Sequence, residues 1–459
     1  MLLIDFPLDI ILHILDLLTF EDLVALSQAD KGHYSIIQEH GYKLYYIKQK
    51  WKILTKSILS SDWRTKVKYG LRTLSNWENK RFSTDVIARQ RQSYIPSLRF
   101  DTERLVCTVG GDLDIRYFDS NDRTKFDHCR FFPAHAGDIV DIHLSSNGEL
   151  FTSSTDTTIK RWFLDGQETS SIPKSMTYEG HDHCVQSIYQ FNHHPRTLYS
   201  AGVDGNMYVW DTETSEVLTS LRLPGRPRVM RGISNDIIAI GNRSEEHLSL
   251  YKVTPSGLVH LDNKELNHKS TVYALASNEH LAHTFVTGTF DGSTALFDTR
   301  SMERVASYSD RIDACSVYSV DYDNYHIVSG TAMHGMICLW DIRHANNFTN
   351  SPNPGSLKRK RVADGWTVYL GRNQSSSPIY SLQLDHSKIY VALANQTWIM
   401  NFGGKTSESK RIERIKHITG RVNRRSWRNR GVMAGTNATK MKESTLFYLH
   451  DNWSELYEL

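Results

Sequence analysis

Carboxylates and imidazoles recur at similar places in the middle of the chain. The carboxylates that could act as general acids or bases are Asp156, Asp204, Asp291 and Asp298. The imidazoles that could bind a metal are His135, His181 and His268. No Ser/His/Asp trio, glycine-rich phosphate loop or His-Glu-x-x-His motif accompanies them. We therefore predict that they fix turns and buried polar groups, and that the chain has no catalytic residue, metal or cofactor and is not an enzyme.

The elements that must position these residues form a repeat. The clearest copy, 180–211, has two apolar runs, then Asp204-Gly205 and a third apolar run that ends at Trp210-Asp211, a pattern typical of three strands with a tight turn. The residues that end the third run of each copy are Phe118, Trp162, Trp210, Tyr251, Phe297, Trp340 and Met400. A period of roughly 40–45 residues is typical of four-stranded propeller blades. The sequence predicts an all-β propeller of seven blades over 92–404, with a polar insertion at 345–365.

The chain outside the repeats reads as helix or tail. The apolar side of a first helix carries Leu8, Ile11, Leu15 and Leu18, at the spacing of one helix face. Residues 1–47 bury little surface alone, so this stripe is either the core of a small all-α domain or, as we favour, is buried with a partner. Residues 48–91 predict a helical connector whose three tryptophans pack against its neighbours. Residues 405–459 predict a mobile basic tail, because 405–430 hold ten Lys or Arg against two Glu.

Two features carry a resemblance to a known family. The Trp-Asp ends at Trp210 and Trp340 resemble WD repeats, and Phe6-Pro7-Leu8-Asp9 with the spaced apolar helices after it resembles an F-box. In that order the two resemble the dactylin-type F-box/WD-repeat proteins. The resemblance implies docking on the Skp adaptor, and through it on a cullin-RING ligase. The implied docking residues are Pro7, Leu8, Ile11, Ile14, Leu15, Leu18, Leu23 and Leu26.

The function that this resemblance implies is substrate recognition without catalysis. The propeller would capture a protein substrate for a Skp–cullin–F-box ubiquitin ligase. Ubiquitin transfer would then be promoted by holding the substrate close to the ubiquitin-charged enzyme. The alternative is a WD-repeat scaffold, or a nucleic-acid-associated interaction protein, without ligase partnership. Co-expression with the Skp adaptor separates the two, because only a ligase receptor would be solubilised by it.

The face of the propeller that would bind a substrate can be compared with family members that bind phosphorylated substrates, which hold arginines at certain positions there. The matching inner-strand positions here are Val140, Gln186, Tyr273, Tyr318 and Tyr380, and the matching positions before the turn are Thr155, Val203, Phe290 and Met333. None is an arginine, and the blade around Arg231 does not align, so an arginine there stays open. The residues predicted to bind an apolar or aromatic protein segment are Tyr273, Phe290, Tyr318, Met333 and Tyr380. The alternative is that these side chains only fill the space between blades.

Composition indicates which other partners and which compartment to expect. The chain has 459 residues and a formal net charge of +3, and it contains no run of about 18 apolar residues, so no membrane partner is expected. Five widely spaced cysteines favour a reducing compartment, the cytoplasm and/or the nucleus. Lys358 to Arg361 could be a nuclear-import signal or a solvated loop tip. The basic stretch 405–430 has one aromatic residue, Trp427, so nucleic acid is not an expected partner.

Overall fold

The computed structural model describes residues 6–51, 53, 56–119, 125–145, 147–164, 172–243, 248–255, 257–261, 270–278, 281, 283–309, 315–344, 365–370 and 377–404. His268, most of the polar insertion at 345–365 with Lys358 to Arg361, and the basic tail at 405–459 lie outside these residues. Among the described residues, no helix is long and apolar enough to cross a membrane.

The N-terminal segment is helical, as its apolar spacing predicts. The helices are α1 (Leu8–Leu17), α2 (Phe20–Ser27), α3 (Lys31–Ile36), a π-helical turn (Ile37–Gly41), α4 (Tyr42–Gln49), α5 (Lys56–Leu59) and α6 (Trp63–Glu78). Thr19 and Asp22 form a reciprocal capping box that starts α2, because each side chain accepts the other's backbone N–H. Asp62 caps α6 by accepting the backbone N–H of Thr65.

The rest of the described chain forms seven four-stranded antiparallel sheets. Blade 1 contains β2 (Leu98–Phe100), β3 (Arg104–Val109), β4 (Asp112–Phe118) and β5 (Phe126–Pro133); blade 2 contains β6 (Ile139–Leu144), β7 (Leu150–Ser154), β8 (Ile159–Phe163) and β9 (Lys174–Tyr178). Blade 3 contains β10 (Val185–Gln190), β11 (Thr197–Gly202), β12 (Asn206–Asp211) and β13 (Val217–Arg222); blade 4 contains β14 (Pro227–Gly232), β15 (Ile237–Asn242), β16 (Leu248–Thr254) and β17 (Gly257–Leu261).

The remaining blades follow the same order. Blade 5 contains β18 (Val272–Ser277), β19 (Thr284–Thr289), β20 (Ser293–Asp298) and β21 (Glu303–Ser309); blade 6 contains β22 (Val317–Tyr322), β23 (His326–Thr331), β24 (Met336–Asp341) and β25 (Gly365–Tyr369). Blade 7 contains β26 (Ile379–Asp385), β27 (Lys388–Leu393), β28 (Gln396–Asn401) and, on its outer edge, β1 (Ser83–Arg89). Each of the seven anchors predicted from the repeat lies on the third strand of its blade, so the prediction of a seven-bladed all-β propeller is confirmed.

The ring closes through the first strand. Strand β1 pairs antiparallel with β28, from Ser83 opposite Asn401 to Arg89 opposite Gln396. Residues 83–89 are therefore strand, and the prediction of a helical connector over the whole of 48–91 is wrong for this stretch. The pairing covers the outer side of β28 and completes blade 7 with a strand that precedes blade 1 in the chain, which closes the ring.

The helical segment is packed on the propeller and shares its core. Ile11, Leu15 and Leu23 are buried in one cluster with Trp51 of the connector and Tyr325 of blade 6. Ile11 and Leu15 of the apolar stripe are thus buried inside this chain, so for these two residues the burial with a partner that we favoured is wrong. Of the other residues predicted to dock, Pro7 and Leu8 are exposed, and Ile14, Leu18 and Leu26 are half-buried.

Helix α6 fixes the segment to blades 6 and 7. The ring of Trp77 stacks between Phe402 at 3.7 Å and His326 at 4.2 Å, measured between ring centroids. Its indole N–H donates to the carbonyl of His386 at 3.1 Å, and Asn76 donates to the carbonyl of Phe402 at 2.6 Å. These contacts confirm the expectation that the connector's aromatic residues pack against the propeller.

Candidate functional site

A β-bulge recurs at one position of the inner strand in six blades. In each, the register of the inner strand against its neighbour skips one residue. The skipped residues are Val140, Gln186, Arg228, Tyr273, Tyr318 and Tyr380, in blades 2 to 7. A bulge leaves its residue unpaired and re-aims its side chain, so the six positions form one set at the mouth of the ring.

The bulge identifies the position of blade 4 that is equivalent to the mouth positions of the other blades, which the sequence pattern does not. The mouth position there is Arg228, and Arg231 lies three residues further along β14. The guanidinium of Arg231 is instead held in the channel, 3.2 Å from a carboxylate oxygen of Asp141. Arg99 approaches the same carboxylate at 3.5 Å. Although burial alone would raise the pKa of Asp141, these two cations hold it below its usual value. The channel network is therefore ionic and closed, and the mouth arginine is Arg228.

Four aromatic rings of blades 5, 6 and 7 touch in sequence across the mouth. Tyr273 meets Phe290 edge-on at 5.7 Å and meets Tyr318 edge-on at 5.5 Å between centroids. Tyr318 then meets Tyr380 at 6.1 Å. Edge-to-face pairs at this range are favourable beyond their area, so the rings stiffen one another. The three tyrosines are half-buried, so each keeps surface open to a ligand.

Blade 4 extends this row with a cation. The guanidinium of Arg228 lies over the ring of Tyr273, 5.1 Å from its centroid. Burial, followed by the nearby charge of Arg243, lowers the pKa of Arg228. We name Arg228, Tyr273, Phe290, Tyr318 and Tyr380 the aromatic row.

Two further side chains reach out beside the row. Phe290 is 57% exposed and Met333 of blade 6 is 53% exposed. The backbone of Phe290 is held, because its N–H donates to Thr271 and its carbonyl accepts from the hydroxyl of Ser316. The structure thus brings Tyr273, Phe290, Tyr318 and Tyr380 into contact, with Met333 exposed on the same turn position of blade 6.

The candidate acid–base residues have structural roles in blades 2 and 3. In blade 3 the ring of His181 bridges Asp204 at 2.8 Å and Ser200 at 2.7 Å, and Trp210 donates to the same serine hydroxyl at 2.8 Å. In blade 2 the corresponding residues are His135, Asp156, Thr152 and Trp162. Burial lowers the pKa of both histidines, which keeps the rings neutral. The prediction that these residues fix turns and buried polar groups is confirmed for both blades.

The other two acid–base candidates, Asp291 and Asp298, also have structural roles. Asp291 accepts from the backbone N–H of Ser293 in the turn of blade 5, and Asp298 pairs with Arg300 at 2.7 Å. Among the described residues, no group of three His, Cys, Asp or Glu side chains is placed to hold a metal ion.

Comparison with known proteins identifies repeats and a fold. The WD40 family (WD domain, G-beta repeat) matches residues 126–162 and 173–211, which end on the third strands of blades 2 and 3. The pre-rRNA-processing protein crb3/ipi3 of Schizosaccharomyces pombe (strain 972 / ATCC 24843) is 27% identical over 129 residues, which are 24% of this chain and 28% of that protein. The match thus spans well under a third of that relative.

Two solved structures share the fold. The structure of U3-55K superposes with a TM-score of 0.51 at 14% identity, over 69% of this chain and 98% of that one. The crystal structure of RRP9 WD40 repeats superposes with a TM-score of 0.52 at 14% identity, over 69% and 97%. At 14% identity, both likenesses show the fold alone, and the WD40 repeats are consistent with the prediction that the chain is not an enzyme.

These comparisons overturn the ubiquitin-ligase interpretation. The comparisons find no F-box domain, and one relative that they do find is the pre-rRNA-processing protein crb3/ipi3. The predictions of a substrate receptor in a Skp–cullin–F-box ligase, of docking on the Skp adaptor and of a cullin-RING partner are wrong. The expectation that nucleic acid is not a partner is wrong for the same reason. By its repeats and its architecture, the chain is a seven-bladed all-β propeller with WD40 repeats.

Proposed function

We propose that the chain is a non-catalytic scaffold of an RNA-processing assembly and that the aromatic row binds a protein partner in it. The row carries this proposal, because its four rings contact one another in sequence and its three tyrosines keep exposed surface. The similarity of 129 residues to a pre-rRNA-processing protein supports the kind of assembly. The nucleus is the compartment that this assembly implies.

The chemistry of the row favours a segment with an apolar or aromatic anchor. Binding hot spots are enriched in tyrosine and arginine in desolvated, concave places, and both residue types meet in the row at Arg228 and Tyr273. Phe290 and Met333 add exposed apolar surface at the edge of the site. Rigid rings lose little entropy when they are covered, so the row needs no rearrangement to bind.

The test is affinity purification of the full chain from nuclear extract, with quantified co-purifying proteins. Tyr318→Ala with Tyr380→Ala should weaken partner binding by about 2 kcal/mol or more, because both changes remove hot-spot rings. The matched control is Val140→Ala with Gln186→Ala, which alters the same bulge position in blades 2 and 3. The control should keep every partner. Co-purification of RNA-processing proteins that is unaffected by the tyrosine changes would contradict the role of the row, and their absence from the wild-type sample would contradict the proposed function.

A further inference from the structure

Positive charge is concentrated in two segments that are far apart in the chain. Residues 40–81 contain eleven Lys or Arg and only two carboxylates, Asp62 and Glu78. Residues 405–430 contain ten Lys or Arg and two Glu. The whole chain has a formal net charge of only +3, so the remaining residues together are net negative. Charge gathered in this way is typical of a surface that binds a polyanion.

The two basic segments meet at helix α6. The guanidinium of Arg72 donates to the carbonyl of Gly403 at 2.9 Å, and the side-chain amide of Asn76 donates to the carbonyl of Phe402 at 2.6 Å. The second segment starts at residue 405, only two positions after Gly403 in the sequence. It therefore begins beside the helix that carries part of the first segment.

Helix α6 carries a row of three cations on its outer side. Arg64, Lys68 and Arg72 follow one another at four-residue spacing, which places them on one helix face over about 12 Å. Lys68 and Arg72 are exposed, and Arg64 is half-buried. Like charges at this spacing destabilise an isolated helix, so the row does not stabilise α6 itself. We name these three residues the basic row.

The charge of the basic row is not neutralised by a carboxylate among the described residues. Asp62 caps the start of α6, and Glu78 at its other end pairs with Arg343 at 3.1 Å. The one hydrogen bond that Arg72 donates goes to a neutral carbonyl, so its charge remains. The Nε atom of Arg64 is buried without a hydrogen-bond partner. The row thus presents cations that are available to an anion.

The row offers charge without an open stacking face. Trp63 at the start of α6 is half-buried, and the ammonium of Lys66 lies 3.9 Å from the centroid of its ring. Cations without stacking rings suit the phosphate backbone of a nucleic acid better than its bases. Phosphates follow one another about every 3.4 Å along one strand of a duplex, so a row of about 12 Å faces roughly three of them.

We propose that the basic row binds the phosphate backbone of a double-helical RNA segment without reading its sequence. Each of the three side chains contacts a phosphate, and the planar forks of the two arginines make two charge-assisted hydrogen bonds each. A rigid helix face and a rigid duplex strand keep their charges in register without rearrangement. The phosphate chemistry rests on the row, while the choice of RNA over DNA rests on the proposed function.

The test measures binding of the full chain to a fluorescein-labelled RNA duplex of about 20 base pairs by anisotropy at several salt concentrations. Arg64→Gln with Lys68→Gln removes two charges and keeps good helix formers. The slope of log K against log[salt] should become shallower by about 2, and the Kd in about 50 mM salt should rise about tenfold or more. The matched control is Lys174→Gln with Arg304→Gln, two exposed cations of blades 2 and 5. The control should stay within about twofold of wild type.

Single changes keep the test valid if the double variant does not fold. Lys68→Gln should make the slope shallower by about 1, and Lys68→Arg should keep the wild-type slope because it keeps the charge. Equal slopes for the double variant and its control would overturn the proposal, because binding would then come from other basic residues. Equal competition by polyglutamate would also overturn it, since the row would then bind an acidic protein segment.

Purification of the full chain from formaldehyde-treated cells separates RNA from DNA. The nucleic acid that co-purifies should be removed by RNase and not by DNase, and the double variant should recover less of it. Material sensitive only to DNase would overturn the choice of RNA. The double variant should keep the protein partners of the aromatic row, so failure of the basic row and failure of the proposed function are separate results.

Discussion

Blades 2 and 3 differ from blades 4 to 7 in where their distinctive side chains lie. Blades 2 and 3 place a histidine, an aspartate, a hydroxyl and a tryptophan in one buried network each, and their bulge positions hold Val140 and Gln186. Blades 4 to 7 place Arg228 and three tyrosines at the bulge instead. The WD40 family matches end in blades 2 and 3.

The difference separates the blades with regular WD40 networks from the blades that carry the proposed binding surface. A network that satisfies buried polar groups adds stability and identifies the repeat, but it offers nothing to a ligand. A bulge side chain at the mouth is left out of the strand pairing and adds little to the core. The less regular half of the propeller is thus where we place recognition, and four experiments can break or sharpen that division.

The largest effect is expected from the anchor of blade 3. Trp210→Ala removes a fully buried ring and its hydrogen bond to Ser200, so it should lower the free energy of unfolding by about 3–5 kcal/mol. Leu218→Ala changes an exposed residue of the same blade and should stay within about 0.5 kcal/mol. Urea titrations give both values. A small loss at Trp210 would show that the networks of blades 2 and 3 are not what stabilises them.

The carboxylate of the same network should matter less. Asp204→Ala leaves the ring of His181 and the N–H of Asn206 without their acceptor, at a cost of about 1–3 kcal/mol in unfolding free energy. The matched change in blades 4 to 7 is Met333→Ala, which alters the exposed turn of blade 6. It should lower the free energy of unfolding by about 0.5 kcal/mol or less. Similar losses at the two turns would erase the division between the halves.

Acid should weaken the network half of the ring. Burial lowers the pKa of His135 and His181, and it lowers that of His143 to about 3. Below about pH 6.5 the unfolded chain therefore takes up protons that the folded chain refuses, so stability is present above that pH and is lost as the pH falls. At lower pH Asp156 adds a loss of the same sign, since its hydrogen bonds to Thr158 outweigh burial and hold its pKa at about 2.

The urea concentration at the unfolding midpoint should consequently decrease as the pH is lowered from 7.5 to 5.5. This interval surrounds the ordinary histidine pKa of about 6.5. His181→Gln removes one of the three imidazoles of blades 2 and 3 whose pKa is lowered by burial, so the midpoint of that variant should change less over the interval. An unchanged slope would mean that other groups control the acid response.

The smallest effect is expected at the edge of the aromatic row. Arg228→Ala removes the cation over Tyr273 and should weaken partner binding by about 0.5–1 kcal/mol. Arg226→Ala removes an exposed arginine two residues earlier and serves as the control. Titration of the purified partner gives both affinities. Equal effects would show that Arg228 contributes only general charge.

Sequence alone determined the parts of this protein that depend on local pattern. The seven anchors could be placed because a large apolar residue at the end of each third strand must be buried, as Trp210 and Tyr251 are. The capped start of α2 and the tyrosines of the mouth follow from spacing within a few residues. The F-box resemblance shows the limit of such patterns, since an apolar helix stripe does not say what covers it.

Only the tertiary structure decided what depends on residues far apart in the chain. The pairing of β1 with β28 joins positions more than 300 residues apart, and the burial of Ile11 and Leu15 depends on Trp51 and on Tyr325. Arg228 became a mouth residue only through a bulge, which shifts the register by one and leaves no mark in composition. Long-range pairing, shared burial and register are set by the packed whole, because their free energy comes from contacts that no local segment contains.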